Sequence, residues 1–248
     1  MYLVGNEMGK LRRDVSLVFL LALALLPVAT GAVGAAVGDR GSASELIFFI
    51  NNQFAMFFPM VVVMLSGSVL CREWRDGTYL VWVSYGLPKG RLLAAKTITC
   101  ALVSLSLSLV VLFAISLTCL ILSADDAAVT LSILFDFIPG FAVESSSIVC
   151  VGTVVGLLIG SAFRSSLAVN AVAVAYGFVS CLFIGAEWSF VIPGSFAYRV
   201  ATACLDPLTY YGSPFLATAG GLVSMLVFLS VLMMALCFTF CRGRKVEA

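Results

Sequence analysis

Six apolar runs, about residues 15–37, 46–70, 97–122, 143–163, 167–186 and 215–241, constrain this chain more than anything else in it. An α-helix needs roughly 20 apolar residues to cross the hydrocarbon core of a bilayer. In lipid, every backbone N–H and C=O must find a partner inside the protein, and a helix achieves this within one segment. The runs therefore predict an all-α integral membrane protein with six transmembrane helices in a single domain, 1–248. Composition agrees: 62% hydrophobic and 11% charged residues leave too little charge to cover a soluble domain. The stretch 143–186 contains the polar break Arg164-Ser165-Ser166, and its length calls for two crossings. The first run exceeds the ~7–15 apolar residues of a signal sequence, so it is expected to stay as a span, with a kink at Pro27.

The charges sort by side. Twelve of the 14 basic residues lie in alternate segments. These are the N-terminal segment (Lys10, Arg12, Arg13), the loop 71–96 (Arg72, Arg75, Lys89, Arg91, Lys96), the turn at Arg164, and the C-terminal segment (Arg242, Arg244, Lys245). Only Arg40 and Arg199 fall on the other side, which carries Asp39, Glu45, Asp125, Asp126, Asp136, Glu144, Glu187 and Asp206. The positive-inside rule then puts both termini and the 71–96 loop in the cytoplasm of a multi-pass protein of the cell membrane. A different number of spans would scramble this alternation. No basic patch points to nucleic acid.

Residues 1–14 place Met1, Val4, Met8 and Leu11 on one helical face, with Glu7, Lys10, Arg13 and Asp14 off it. That pattern predicts a short helix in the interfacial plane leading into the first span. On the outer side, 187–214 combines three prolines with Trp188, Phe190, Phe196, Tyr198, Tyr210 and Tyr211, which predicts short interfacial or re-entrant helices. The other outer connection, 123–144, is acidic. Its apolar piece Val129–Ile138 is too short to span and is expected to lie at the interface.

Chemistry is hard to place in this chain. Histidine is absent, which removes the commonest metal ligand and proton shuttle. There is no G-x-S-x-G and no Walker A motif; Gly86-Leu-Pro-Lys-Gly90-Arg91 lacks the terminal Lys-Ser/Thr. The eight cysteines form no CxxC and mostly sit in apolar runs, so they are read as packing residues. No paired carboxylates fall within the expected spans, with Glu144 near the outer end of the fourth. Nearly charge-free spans argue against an ion-coupled pump. No catalytic, cofactor-binding or metal-binding residue is expected. Gly152, Gly156 and Gly160, and Gly34 with Gly38, are spaced for close helix–helix contact within or between subunits, and Ser104, Ser108 and Asn170 are read as making interhelical hydrogen bonds or satisfying backbone groups.

The loop 71–96 stands apart. Asp76 or Thr78 is suited to cap a short helix from Thr78 to Tyr85, Gly86 to end it, and Pro88 to bar its continuation. Tyr79, Leu80, Trp82 and Val83 would then form an apolar face with a basic rim, suited to a protein groove or a bilayer surface. The pattern Glu73-x3-Gly77-Thr78, then Leu80, Pro88-Lys89-x-Arg91 and Lys96, resembles the ABC-2 type exporter permeases. In that family an acid and Gly-Thr precede a cytoplasmic coupling helix, and Pro-x-x-Arg and a Lys open the third span. The amphipathic "elbow" helix, six spans and outer element before the last span also match, so the resemblance covers essentially the whole chain. Ile192–Arg199, with Trp188 upstream, resembles the outer loop of the lantibiotic-immunity branch, although Gly194-Ser195-Phe196-Ala197 stands where that branch more often has Trp-Ser-Tyr-Pro.

The resemblance implies a half-transporter and not an enzyme. Two permease subunits, identical or homologous, would meet in membrane lipid. Each would seat its coupling helix on one of two ABC ATPase subunits, which hold the ATP and Mg. An amphipathic substrate, in the immunity branch a peptide antibiotic, would move outward. Glu73, Asp76, Gly77, Thr78, Tyr79, Trp82, Pro88 and Arg91 would transmit force, and Phe190, Phe196, Tyr198 and Tyr210 would be candidate substrate contacts. An ATP-independent channel or carrier, or a non-transporting membrane sensor or assembly subunit, is the alternative. A carrier calls for a polar pore or inverted repeats, and neither is visible here.

Overall fold

A computed structural model of the protein describes residues 2–12, 14–38, 41–78, 86 and 88–242. Eight α-helices follow one another among these residues: α1 (Tyr2–Arg12), α2 (Ser16–Val37), α3 (Ala43–Arg75), α4 (Lys89–Leu122), α5 (Ala127–Phe163), α6 (Ser166–Leu182), α7 (Pro193–Ala203) and α8 (Pro214–Arg242). Single 3₁₀ turns at Ser189–Val191 and Pro207–Thr209 flank α7. α2, α3, α4, α5 and α8 are long and apolar enough to cross a membrane. α6 is apolar but has 17 residues, a rise of about 26 Å. The run expected to reach residue 186 ends early because Ile184 and Ala186 turn back onto the carbonyls of Cys181 and Phe183.

One end of the bundle gathers α1, the ends of α3, α5 and α8, and the starts of α4 and α6. It carries most of the basic residues and is called the basic end. The opposite end is fixed by polar contacts between loops. Ser42 and Glu45 form a reciprocal capping box at the start of α3, which satisfies N–H groups that the helix leaves open. Asp125 accepts from the Ala43 N–H at 2.8 Å, and the Ala124 N–H donates to Gly41 O at 3.1 Å. Two acids of that face, Glu45 and Asp125, thus serve the backbone at the head of α3.

The expected fourth span, 143–163, and a separate interfacial piece at Val129–Ile138 are corrected: α5 runs unbroken from Ala127 to Phe163, through Pro139 and Glu144. Proline and an acid read as a boundary when neighbours are unknown. Here α7 covers that stretch. A Cβ on Gly140 would fall 2.8 Å from Ala201 Cα and 2.9 Å from Cys204 Sγ, so α7 lies almost on the α5 backbone. Leu134, Phe137 and Phe141 point inward. Glu144 consequently sits near the middle of α5 and not near its outer end.

α3 and α5 form the buried centre. Gly152, Gly156 and Gly160 line the α5 face that meets α3. A Cβ on Gly152 would approach Val62 to 3.0 Å, one on Gly156 would strike Ser66 Oγ and the Val63 carbonyl, and one on Gly160 would lie 2.9 Å from Gly67 O. Small residues allow this backbone approach in lipid, where dispersion rather than the hydrophobic effect joins helices. Beside this seam Phe54 stacks on Phe58 with ring centres 4.6 Å apart and meets Phe141 at 4.8 Å. Among the described residues, a Cβ on Gly34 would meet nothing within 4 Å and one on Gly38 only the Gly34 carbonyl; in α2 it is Gly31 that presses against Ile50. Ser108 donates to the Leu105 carbonyl of its own helix, Ser104 Oγ has no hydrogen-bond partner among the described residues, and Asn170 faces outward. Interhelical polar contacts come instead from Ser66 with Gly152 O and from Ser161 with Thr239.

Candidate functional site

At the basic end three separate segments bring their charges to one point. Lys96 stands two turns into α4 and is completely buried. Its Nζ donates to Glu7 Oε2 of α1 at 2.9 Å and contacts Glu73 Oε1 in the last turns of α3 at 2.6 Å. Lys10, one turn on from Glu7, reaches Glu7 Oε1 at 2.9 Å and Glu73 Oε1 at 3.3 Å. Two carboxylates and two ammoniums therefore form a charge-neutral set. A buried ammonium would cost several kcal/mol if unpaired, and this set provides the pairing. Next to it Arg72 pairs with Asp14, at the turn between α1 and α2.

Burial pushes the Glu7 carboxyl up, but Lys96 and the hydrogen bonds from both lysines outweigh it and hold Glu7 below the usual carboxylate value. Burial likewise pulls Lys10 down, and Glu7 and Glu73 more than reverse it, leaving Lys10 above the usual lysine value. For Asp14, burial is outweighed by hydrogen bonds from Ser16 and by Arg72, and its carboxyl is lowered. Each of these three shifts favours the charged form of Glu7, Lys10 and Asp14.

A half-open cavity of about 280 Å³ borders the cluster, lined by Lys10, Leu11, Arg72, Glu73, Asp76 and Thr78 among others. α3 ends at Asp76, and Gly77 follows with φ +65°, in the left-handed region that glycine adopts without strain. Gly86 has φ +72°. Pro88 precedes α4, its carbonyl accepting from the N–H of Arg91 at 2.9 Å. Pro88 and Arg91 are exposed, as is Asp76. Tyr79 and Trp82 lie outside the described residues, as does the expected helix beyond Thr78. On the far side of α3, the Arg164 guanidinium sits 4.0 Å from the centre of the Trp74 ring, which ties the α5–α6 turn to the same segment. Arg164 has φ 53° and so takes the left-handed conformation that ends many helices.

Of the sequence-predicted coupling residues, the structure thus buries Glu73 in an ion cluster and leaves Asp76, Pro88 and Arg91 open. Sequence reasoning missed Glu7 and Lys10 as partners, having read Glu7 only as lying off the apolar face. A partial signal was present: Glu7 and Glu73 are two of the few acids at the basic end, in segments that also carry the basic residues.

At the opposite end, Phe196 and Tyr198 are buried within the cap formed around α7. Phe196 lies against Gly221, and Tyr198 meets Phe48 edge-on at 6.5 Å. Tyr210 is half-buried and hydrogen-bonded to Thr218 at 2.8 Å. Phe190 lines a surface cavity of about 260 Å³ with Glu187, Trp188, Tyr211 and Ser213. Arg199 holds this cap by donating to Ile184 O at 2.8 Å and covering the Tyr211 ring at 4.3 Å. Of the four aromatic candidates, Phe190 alone belongs to that cavity.

A second buried polar site lies within the bundle. Asn51 of α3 and Glu144 of α5 are both fully buried, and Asn51 Nδ2 donates to Glu144 Oε2 at 3.0 Å.

Long apolar helices around a buried α3–α5 seam, with charge gathered at the helix ends, define a multi-pass α-helical membrane protein. The chain matches the model for the ABC-2 family transporter proteins over residues 3–180 and belongs to that family. It is accordingly a permease of an ABC transporter, a membrane component of a family that associates with ABC ATPase partners. The match takes in the whole basic-end cluster and ends near the close of α6. α7 and α8 lie beyond it. No curated protein matches the chain.

Proposed function

We propose that this chain is the membrane-spanning subunit of an ABC exporter, with six spans, α6 being the fifth, and with the basic end in the cytoplasm. In this reading α1 is the elbow helix, and Thr78–Tyr85 forms the coupling helix that rests on an ATPase subunit. Two permease subunits, identical or homologous, and two ATPase subunits make the working unit, with ATP and Mg held by the ATPases. Asp76, Gly77, Thr78, Tyr79, Trp82, Pro88 and Arg91 carry the thrust, and Glu73 conveys it inward. The cargo is an amphipathic molecule, a lantibiotic-type peptide expelled in self-immunity.

The observation that supports this is the Glu7–Lys10–Glu73–Lys96 cluster. It joins α1, the end of α3 and the start of α4, and so brackets both sides of the proposed coupling helix. A push between Asp76 and Pro88 reaches three helices at once through short charged contacts. The test is co-purification with candidate ABC ATPases and ATP-dependent export, comparing wild type with Gly77→Pro and Trp82→Ala. Both variants should lose assembly or export; full activity in both would reject the coupling assignment. For the cargo, deleting the gene should sensitise cells to a co-encoded peptide antibiotic, and unchanged sensitivity across a panel of such peptides would remove that part of the proposal.

A further inference from the structure

The Asn51–Glu144 pair leaves two atoms unsatisfied. Asn51 Oδ1 and Glu144 Oε1 are both buried and have no hydrogen-bond partner among the described residues. Both are acceptors when the carboxyl is ionised, so they have nothing to exchange. Among the described residues, no basic side chain forms an ion pair with Glu144. The other titratable groups that face it are Tyr198 from α7 and Cys181 from α6, and neither brings positive charge. An ionised carboxylate at this place would be a fully buried charge with one neutral donor, an arrangement that costs several kcal/mol.

We propose that Glu144 is a proton-binding site: a neutral carboxylic acid whose hydroxyl, on Oε1, donates to Asn51 Oδ1 while Asn51 Nδ2 donates to Oε2. One proton then satisfies both orphaned atoms and closes a two-bond ring between α3 and α5. The proton comes from bulk water and returns to it, and no bond other than O–H forms or breaks. α7 covers this stretch of α5 and brings Tyr198 to face the pair, so the ring between α3 and α5 lies beneath a third helix. Hydration of the junction favours the ionised acid, so opening there releases a proton and closing takes one up. This inference does not depend on the direction of transport or on the cargo.

Infrared spectroscopy of the full chain in lipid vesicles reads the proton directly. At neutral pH the wild type should show a carboxylic-acid C=O band that shifts on deuterium exchange. Glu144→Gln should abolish it, Glu144→Asp should displace it, and Glu187→Gln, on the surface, should leave it unchanged. Asn51→Ala should move the band to higher frequency, because the acid hydroxyl loses its acceptor. A wild-type spectrum without the band, or a band that survives Glu144→Gln, overturns the proposal. A band that Asn51→Ala does not move overturns the pairing. The Gln variant keeps the shape and both donor and acceptor capacity, and the deuterium shift is measured on unaltered protein.

Discussion

At the basic end, Lys96 lies among the carboxylates of Glu7 and Glu73, with Lys10 closing the set. Between α3 and α5, Glu144 has one amide for company. Both places take an acidic side chain out of water, at a desolvation cost of several kcal/mol for each ionised group. The first recovers it with opposite charges at 2.6–3.3 Å. The second has no charge to use and is satisfied only if the carboxyl stays neutral. One site is therefore an ionic joint between segments that meet near an aqueous surface. The other is a hydrogen-bonded joint inside the bundle. Removing charge should damage the first and spare the second.

The largest effect belongs to Lys96→Ala. It leaves Glu7 and Glu73 buried and facing each other, with only Lys10 between them. Breaking a buried ion pair from one side costs about 3–5 kcal/mol. Thermal unfolding of the purified chain in detergent, followed by tryptophan fluorescence, measures it. Lys10→Ala is the control: the Lys10 side chain is 41% exposed, and a pair open to water is worth roughly 0–1 kcal/mol. Equal losses for the two lysines would mean that Lys96 is solvated.

Glu73→Gln comes next. It keeps the volume, removes the charge that faces two lysines, and leaves Glu7 to hold Lys96. A hydrogen bond to a charged group contributes about 1.5–3 kcal/mol, and a loss in that range is expected in the same unfolding assay. A loss of export with unchanged stability would instead place Glu73 in the thrust path alone.

The pH response follows from signs. Glu7 is lowered from 4.5, so its stabilisation is complete above that value and fades as pH falls through the lowered pKa. Lys10 is raised from 10.5, so its stabilisation is complete below that value and fades as pH rises through the raised one. Glu7 and Lys10 should contribute evenly between about 4.5 and 10.5, with the Glu7 part weakening below this window and the Lys10 part above it. Comparing wild type with Glu7→Gln across pH should show a stability gap that closes at the acid end. A gap that persists there would assign the loss to packing.

These contrasts also show what the sequence made legible. Apolar length marked α2, α3, α4 and α8, and alternating charge brought 12, 75, 89, 164 and 242 to one end. The Gly152–Gly156–Gly160 spacing gave the central seam, because backbone approach depends on a local feature: a missing Cβ. What stayed hidden depended on neighbours. α5 looked shorter than it is because the acidic connection 123–144, with an apolar piece too short to span, reads as a loop unless α7 and Asn51 are known to lie against it. Glu7 and Lys96 are 89 residues apart, and no local spacing joins them. Phe196 and Tyr198 read as exposed aromatics for a ligand, yet they fill the core of the cap, since an aromatic belt and an aromatic core have the same composition.

The smallest expected effect is the most discriminating. Glu144→Gln is the same chemical change as Glu73→Gln, made at an equally buried carboxyl. A neutral acid and an amide present the same pair of functions to Asn51: one donor toward Oδ1 and one acceptor toward Nδ2. Replacing one by the other should therefore alter stability by about 0.5 kcal/mol or less, since both hydrogen bonds survive. It should also remove any pH dependence that belongs to this site. Asn51→Leu in the same assay keeps the bulk and deletes the partner, and should cost about 1–3 kcal/mol for a buried polar group left unpaired. If Glu144→Gln is as damaging as Glu73→Gln, then Glu144 carries its charge in the folded chain and a cation stands beside it. The distinction between an ionic and a hydrogen-bonded joint would then collapse into two versions of the first.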